Sequence, residues 1–193
     1  KGLIEAADRL ARAIRGKAGE SLRLVNATPP LIQATTASLD ALKKYSAAAR
    51  LNALGDDRAT ALAREAVAID STFATGWSAL AADLSNYGGS QSAIDTALTQ
   101  AYRYRDRLPP TERDQLTARY FIMGPGRDRA KGIAAYESIL QRGETTSAIL
   151  INLGEALRSR RNFARAESLN VAAIRISPAG NATAYANAAE LQL

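Results

Sequence analysis

Two stretches of this chain, residues 74–107 and 147–180, carry the same order of large and small side chains, and that recurrence limits the fold more than any other feature. The first has Trp77, Leu80, Ala81 and Leu84, then Ala93, Ala97 and Ala101; the second has Leu150, Leu153, Gly154 and Leu157, then Ala166, Asn170 and Ala173, closing on Pro178. Spacings of three and four within each run are the period of a helix face. A unit of about 34 residues made of two such runs is a helical hairpin too small to bury its own apolar face, so neighbouring units must stack. The small residues mark where two helices cross closely, and Asn170 is the one departure in the second stretch.

Two further blocks follow with less fidelity. Residues 40–73 match through Gly55, Ala59, Ala63 and Ala66, with Ala47, Ala48 and Leu51 in the first helix and an inter-helix turn about one residue short. Residues 113–146 present Leu116, Tyr120, Met123, Gly132, Tyr136 and Ile139 after the linker LPPTE, and residues 181–193 begin another first helix. Composition agrees with an all-helical chain: 47% of residues are hydrophobic with alanine prominent, while aromatics are 6%.

The stretch MGPGRDRAK, residues 123–131, has the glycines and lysine of a phosphate-binding loop. That loop follows a buried strand and puts Ser or Thr directly after its lysine for the metal ion; here Gly132 follows Lys131, and a helical period precedes it. Gly124, Pro125 and Gly126 instead predict the turn of the third block, with Asp128 capping the next helix.

The blocks at 74–107 and 147–180 resemble the tetratricopeptide repeat family. The resemblance implies an all-α fold, a right-handed superhelical solenoid of helix-turn-helix repeats over 40–193, with a concave groove built by the first helix of each repeat. Residues 1–39 lie outside the repeat. Leu3, Ala7, Leu10 and Ile14 share one face of an N-terminal helix, expected to pack as a lid on the first repeat; Pro29 and Pro30 force an extended connection, and Thr36 or Ser38 caps the restart. Nearly the whole chain, through DRLARAIRGKAGESL, PPLIQATTASLDALKKYSAAAR, AREAVAID, AYRYRDRLPPTER and GPGRDRAKGIAAYESIL, is also similar to the repeat region that follows the kinase domain in some bacterial serine/threonine protein kinases and related signalling proteins. None of the kinase's own motifs is present, so phosphotransfer would reside outside this sequence. The chain reads as part of a longer one, and its compartment is not legible.

Function classes narrow by residue type. With no histidine and no cysteine, His-based acid/base catalysis, thiolate nucleophiles and the commonest metal ligands are excluded. No spaced pair of acid, base and nucleophile stands out, so the expectation is a non-catalytic protein with no cofactor. No run approaches the length of a membrane span. The net charge is +6, and residues 103–131 hold eight Arg or Lys against Asp106, Glu112, Asp114 and Asp128, a balance expected to be met by local pairing rather than by nucleic acid.

An interaction scaffold is thus expected, holding a peptide or protein partner in the groove; the competing reading is a self-assembling module that stacks end to end through open repeat ends. Groove positions carried over from the resemblance are Tyr45, Asn52, Ser78, Ser85, Asp114, Phe121, Ile151, Glu155, Arg158 and Tyr185. Tyr45 and Phe121 turn inward instead if the register is off by one. Lys and Asn are missing from the positions that clamp a carboxylate in some members of that family. Arg158, Arg160, Arg161 and Arg165 form a basic cluster, and the Asn26 and Asn181 sequons are potential glycan acceptors.

Overall fold

Between Leu39 and Ile176 the regular structure is eight α-helices and one short 3-10 turn, and no strand occurs among the described residues. The computed structural model describes residues 36–177, together with the helical positions Ala6, Arg9, Leu10, Ala13, Ile14, Lys17, Tyr185 and Ala186. The helices are α1 (Leu39–Ala53), α2 (Ala59–Ile69), α3 (Ala74–Asn86), α4 (Gln91–Arg103), α5 (Pro110–Ile122), α6 (Arg129–Gln141), α7 (Ser147–Arg158) and α8 (Phe163–Ile176). The chain divides into two compact units, Lys1–Leu116 and Thr117–Leu193, with the boundary inside α5.

Helix starts follow local chemistry. Ser38, Ser90, Asp128 and Thr146 each accept a hydrogen bond from the amide three residues on, at Ala41, Ala93, Lys131 and Ile149, which satisfies one of the free donors of the first turn. α5 starts at Pro110, inside the segment expected to be linker. Proline suits a first helical position because it has no amide to leave unpaired, and Glu112 follows in the positive first turn. The turn after α1 runs 54–58, against 87–90 and 159–162 elsewhere, so it is longer and not shorter than those of the better-matched blocks.

In the first unit α1 packs on α2, α3 on α4, and α2 on α3. The contact surfaces are lined with alanine: Ala41 and Ala48 on α1, Ala59, Ala63 and Ala66 on α2, Ala81 on α3, and Ala97 and Ala101 on α4 are all buried. Short side chains let the helix backbones approach, and Leu80, Leu84 and Leu98 fill the space beside them. Phe73, immediately before α3, is fully buried with its ring edge-on to Tyr45 at 5.3 Å.

Three polar links in this unit join residues 34 or 35 positions apart, which is the spacing of the sequence blocks. The Thr36 hydroxyl donates to Asp70, the Tyr87 hydroxyl donates to Asn52 at 3.0 Å, and the Arg107 guanidinium donates to the Thr72 carbonyl at 3.1 Å. Asp70 also accepts from the Thr72 amide at 2.9 Å and the Thr72 hydroxyl at 2.7 Å. Partial burial works to raise the Asp70 carboxyl. The hydrogen bonds from Thr36 and Thr72 and the charge of Arg107 outweigh it and hold the group below its ordinary value.

A depressed folded-state pKa contributes stability that is present above the unfolded value of about 4 and is lost as pH falls through the folded one. Asp70→Asn is therefore expected to cost about 1–2 kcal/mol at pH 7, where hydrogen bonds to a charged acceptor are lost. In urea titrations the gap between the two proteins should close as pH drops below about 4. A gap of the same size at pH 7 and pH 3 would show that the charge plays no part.

The second unit has its core at Ala118 on α5, Ala135, Tyr136 and Ile139 on α6, Ile149, Leu150, Leu153 and Leu157 on α7, and Ala166, Leu169 and Ala173 on α8. Gly154 and Ala166 mark the α7–α8 crossing: a Cβ on Gly154 would touch the Ala166 carbonyl at 3.4 Å and the Asn170 side chain at 3.5 Å. Asn170, the sequence departure, lies in this crossing fully buried, and neither its amide nitrogen nor its oxygen has a hydrogen-bond partner.

Residues 123–128 form the turn between α5 and α6, and Met123, expected on the apolar face, lies in that turn and is 49% exposed because α5 ends one residue earlier. Leu10 and Ile14 are helical and exposed, at 63% and 58%, so at these positions the N-terminal stripe does not act as a packed lid. Leu3, Ala7, the Pro29–Pro30 connection, the Asn26 and Asn181 sequons and Pro178 lie outside the described residues.

Candidate functional site

The side chains expected to line a groove have mixed surroundings. In the first unit Tyr45 is half-buried against Phe73; burial raises its phenol above the ordinary value, reinforced by the Glu112 and Asp83 carboxylates. It acts as a packing residue with a wet edge. Asn52 is half-buried and engaged by Tyr87. Ser78 and Asp114 are half-buried and each has a partner, whereas Ser85 is exposed on α3.

In the second unit Phe121 turns toward the α5–α6 turn. Its ring is edge-on to Tyr120 at 5.2 Å, and the Lys131 ammonium sits 5.4 Å from its centroid. Gly126 passes so close that a Cβ there would come within 2.6 Å of the Phe121 ring and 2.7 Å of the Tyr120 ring, which is why this turn carries glycine. Ile151 packs against the core. Glu155 and Arg158 form an ion pair at 3.2 Å, and Tyr185 is helical and exposed.

Basic residues are largely engaged. Arg165 pairs with Glu137 at 2.7 Å, tying α8 to α6, and Lys131 pairs with Asp128 at 3.3 Å. Arg105 lies over the Tyr102 ring at 4.1 Å, and Arg107 is held by Thr72. The cluster of Arg158, Arg160, Arg161 and Arg165 thus has two members committed to carboxylates.

One concavity in the second unit has ligand-like dimensions. It is a cleft of about 380 Å³ between α5, α6 and α7, within the usual size range of ligand pockets. Arg119 and Ile122 come from the end of α5, Met123 from the turn just after it, Arg129 and Tyr136 from α6, and Asn152, Glu155, Ala156 and Ser159 from α7 and the residue after it. Spacings of three and four place the α5 residues and the α7 residues each on one stripe, and the two stripes face a common space. Tyr136 is buried at the base of this space. Burial raises its phenol, while the charge of Arg119 and a side-chain hydrogen bond with Asn152 pull in the opposite sense. The phenol oxygen is therefore near both a cation and an amide.

Of the expected groove residues only Glu155 lines this cleft. Nothing in the local sequence marks Arg119, Arg129, Asn152 or Ser159 as lining residues, and Tyr136 and Met123 have the spacing of core positions. The stripe 152, 155, 156, 159 is visible in sequence as a helical period; what it faces is not. Among the described residues no group of three or more acidic side chains is disposed to hold a metal ion, and no helix is long and apolar enough to cross a membrane. Compared with known proteins, the chain matches no protein-family model and no curated protein.

Proposed function

We propose that this chain is a non-catalytic interaction module of the tetratricopeptide type, a stack of helical hairpins that holds a peptide or protein segment, and that it serves as part of a larger signalling protein of the kinase-associated kind. The observation that carries the reading is the recurrence of side-chain links at 34 and 35 residues in the first unit, which is what stacked copies of one hairpin produce. The alanine-lined and glycine-lined crossings support it, since they belong to hairpins built for close stacking. Surfaces of stacked hairpins recognise extended or helical segments by shape and by a few anchors. A right-handed superhelix with a continuous concave face is part of this proposal.

The test is capture of partners on the immobilised chain, followed by titration of each purified partner into wild type and into a variant with Arg129 and Glu155 both replaced by alanine. Binding with 1:1 stoichiometry that weakens in the variant supports the module. End-to-end self-assembly is the competing function. Light scattering that shows mass rising with concentration, with no partner bound, would replace the scaffold reading by that one.

A further inference from the structure

The cleft of the second unit has a chemical bias that the scaffold reading alone does not specify. Its polar lining carries two guanidiniums, Arg119 and Arg129, beside the Tyr136 and Asn152 side chains, which are hydrogen-bonded to each other. The one carboxylate there, Glu155, is paired with Arg158 at 3.2 Å. Ile122, Met123 and Ala156 supply an apolar wall beside those donors. Guanidiniums beside an apolar wall favour an anion carried next to a hydrocarbon side chain, because the guanidiniums make charge-assisted bonds to the anion while the wall takes the apolar neighbour.

We propose that this cleft receives an acidic segment of a partner protein, with an Asp or Glu carboxylate held by Arg119 and Arg129 and an adjacent aliphatic side chain seated on Ile122 and Met123. The proposal rests on the scaffold reading and names the chemistry of its ligand. Apart from Glu155, its lining residues are not the groove positions carried over from the repeat resemblance. It uses the end of one hairpin's first helix, the next helix and the first helix of the following hairpin. The volume of about 380 Å³ is enough for a few side chains, which a short linear segment can supply.

The experiment is fluorescence anisotropy on the full chain with a dye-labelled peptide of alternating glutamate and leucine. A second peptide carries glutamine for every glutamate, and a dye-labelled single-stranded RNA of similar length is the third probe. The acidic peptide is expected to bind at least tenfold more tightly than the glutamine peptide. Arg129→Glu should weaken it at least tenfold, and Arg175→Glu, a reversal on exposed α8 away from the cleft, by less than twofold. Arg129→Gln, which only removes the charge, should give an intermediate loss and guards against misfolding of the reversal, with circular dichroism confirming helix content. Equal binding of the two peptides would overturn the acidic ligand while leaving a peptide-binding module intact. Binding of RNA with neither peptide bound would overturn both. An acidic peptide that binds equally to wild type and to both Arg129 variants would place its site elsewhere and overturn the assignment of this cleft.

Discussion

Replacing Phe73 by alanine is expected to destabilise the first unit by about 4 kcal/mol, the range found for removing a fully buried aromatic ring. Phe73 has no exposed surface. Its ring meets Tyr45 edge-on at 5.3 Å, and it lies so close to the backbone of α3 that a Cβ on Gly76 would come within 2.6 Å of it. The ring thus packs against α1 and the first turn of α3 together. Trp77, the only tryptophan of the chain, is one turn further along α3 and donates its indole N–H to the Ser71 carbonyl at 2.8 Å. Its fluorescence therefore reports this unit, and the urea midpoint read from Trp77 should fall sharply in Phe73→Ala. Phe73→Leu should recover roughly half the loss, since much of the buried hydrocarbon returns. An unchanged tryptophan transition would mean that the ring contributes nothing to holding α1 and α3.

The second large effect is expected at Gly132. A glycine in the middle of an exposed helix is replaced by alanine with a gain of about 1 kcal/mol. Here the sign reverses, because a Cβ at this position would come within 2.5 Å of Ile122 and 3.0 Å of the Ala118 carbonyl oxygen. The isoleucine contact is with Cγ1, which moves only with a change of χ1, and the carbonyl belongs to helix α5 and cannot yield without moving the helix. Gly132→Ala is expected to cost about 1–2 kcal/mol, and Gly132→Leu about 3 kcal/mol as overpacking forces α5 and α6 apart. Far-UV circular dichroism during thermal unfolding is the measurement, with Trp77 fluorescence as the internal control for the first unit. A Gly132→Ala protein more stable than wild type would show that the α5–α6 crossing is looser than its geometry indicates. The same variants bear on the acidic-peptide cleft, since Ile122 and Arg119 lie on α5 and Tyr136 and Arg129 on α6.

Much of the local structure was legible from residues 36–177. Alternation of large and small side chains at spacings of three and four foretold the helices. Asp128 announced a cap, Thr36 or Ser38 another, of which Ser38 is the one used, and Gly124, Pro125 and Gly126 a turn in place of a phosphate cradle. These features are set within a few residues of chain, by hydrogen bonds to first-turn amides and by backbone conformations open to glycine. Boundaries were less secure: Pro110 looked like linker but begins α5, since proline is a breaker inside a helix and favourable at its start.

The site was the least legible. Tyr45, Asn52, Phe121 and Ile151 have the spacing of groove residues, yet Phe73, Tyr87, Lys131 and the second core engage them. Arg119, Arg129 and Asn152 line a cleft although nothing in their local sequence separates them from ordinary solvated positions. By itself the sequence determined that the chain is helical, where the hairpins turn and which small residues sit at their crossings, because a helix and its caps depend on neighbours within one or two turns. Only the tertiary structure decided which faces of α5, α6 and α7 leave a space between them and which charges are spent on ion pairs. Those depend on side chains distant in sequence, whose meeting is fixed by how helices pack and by no local rule.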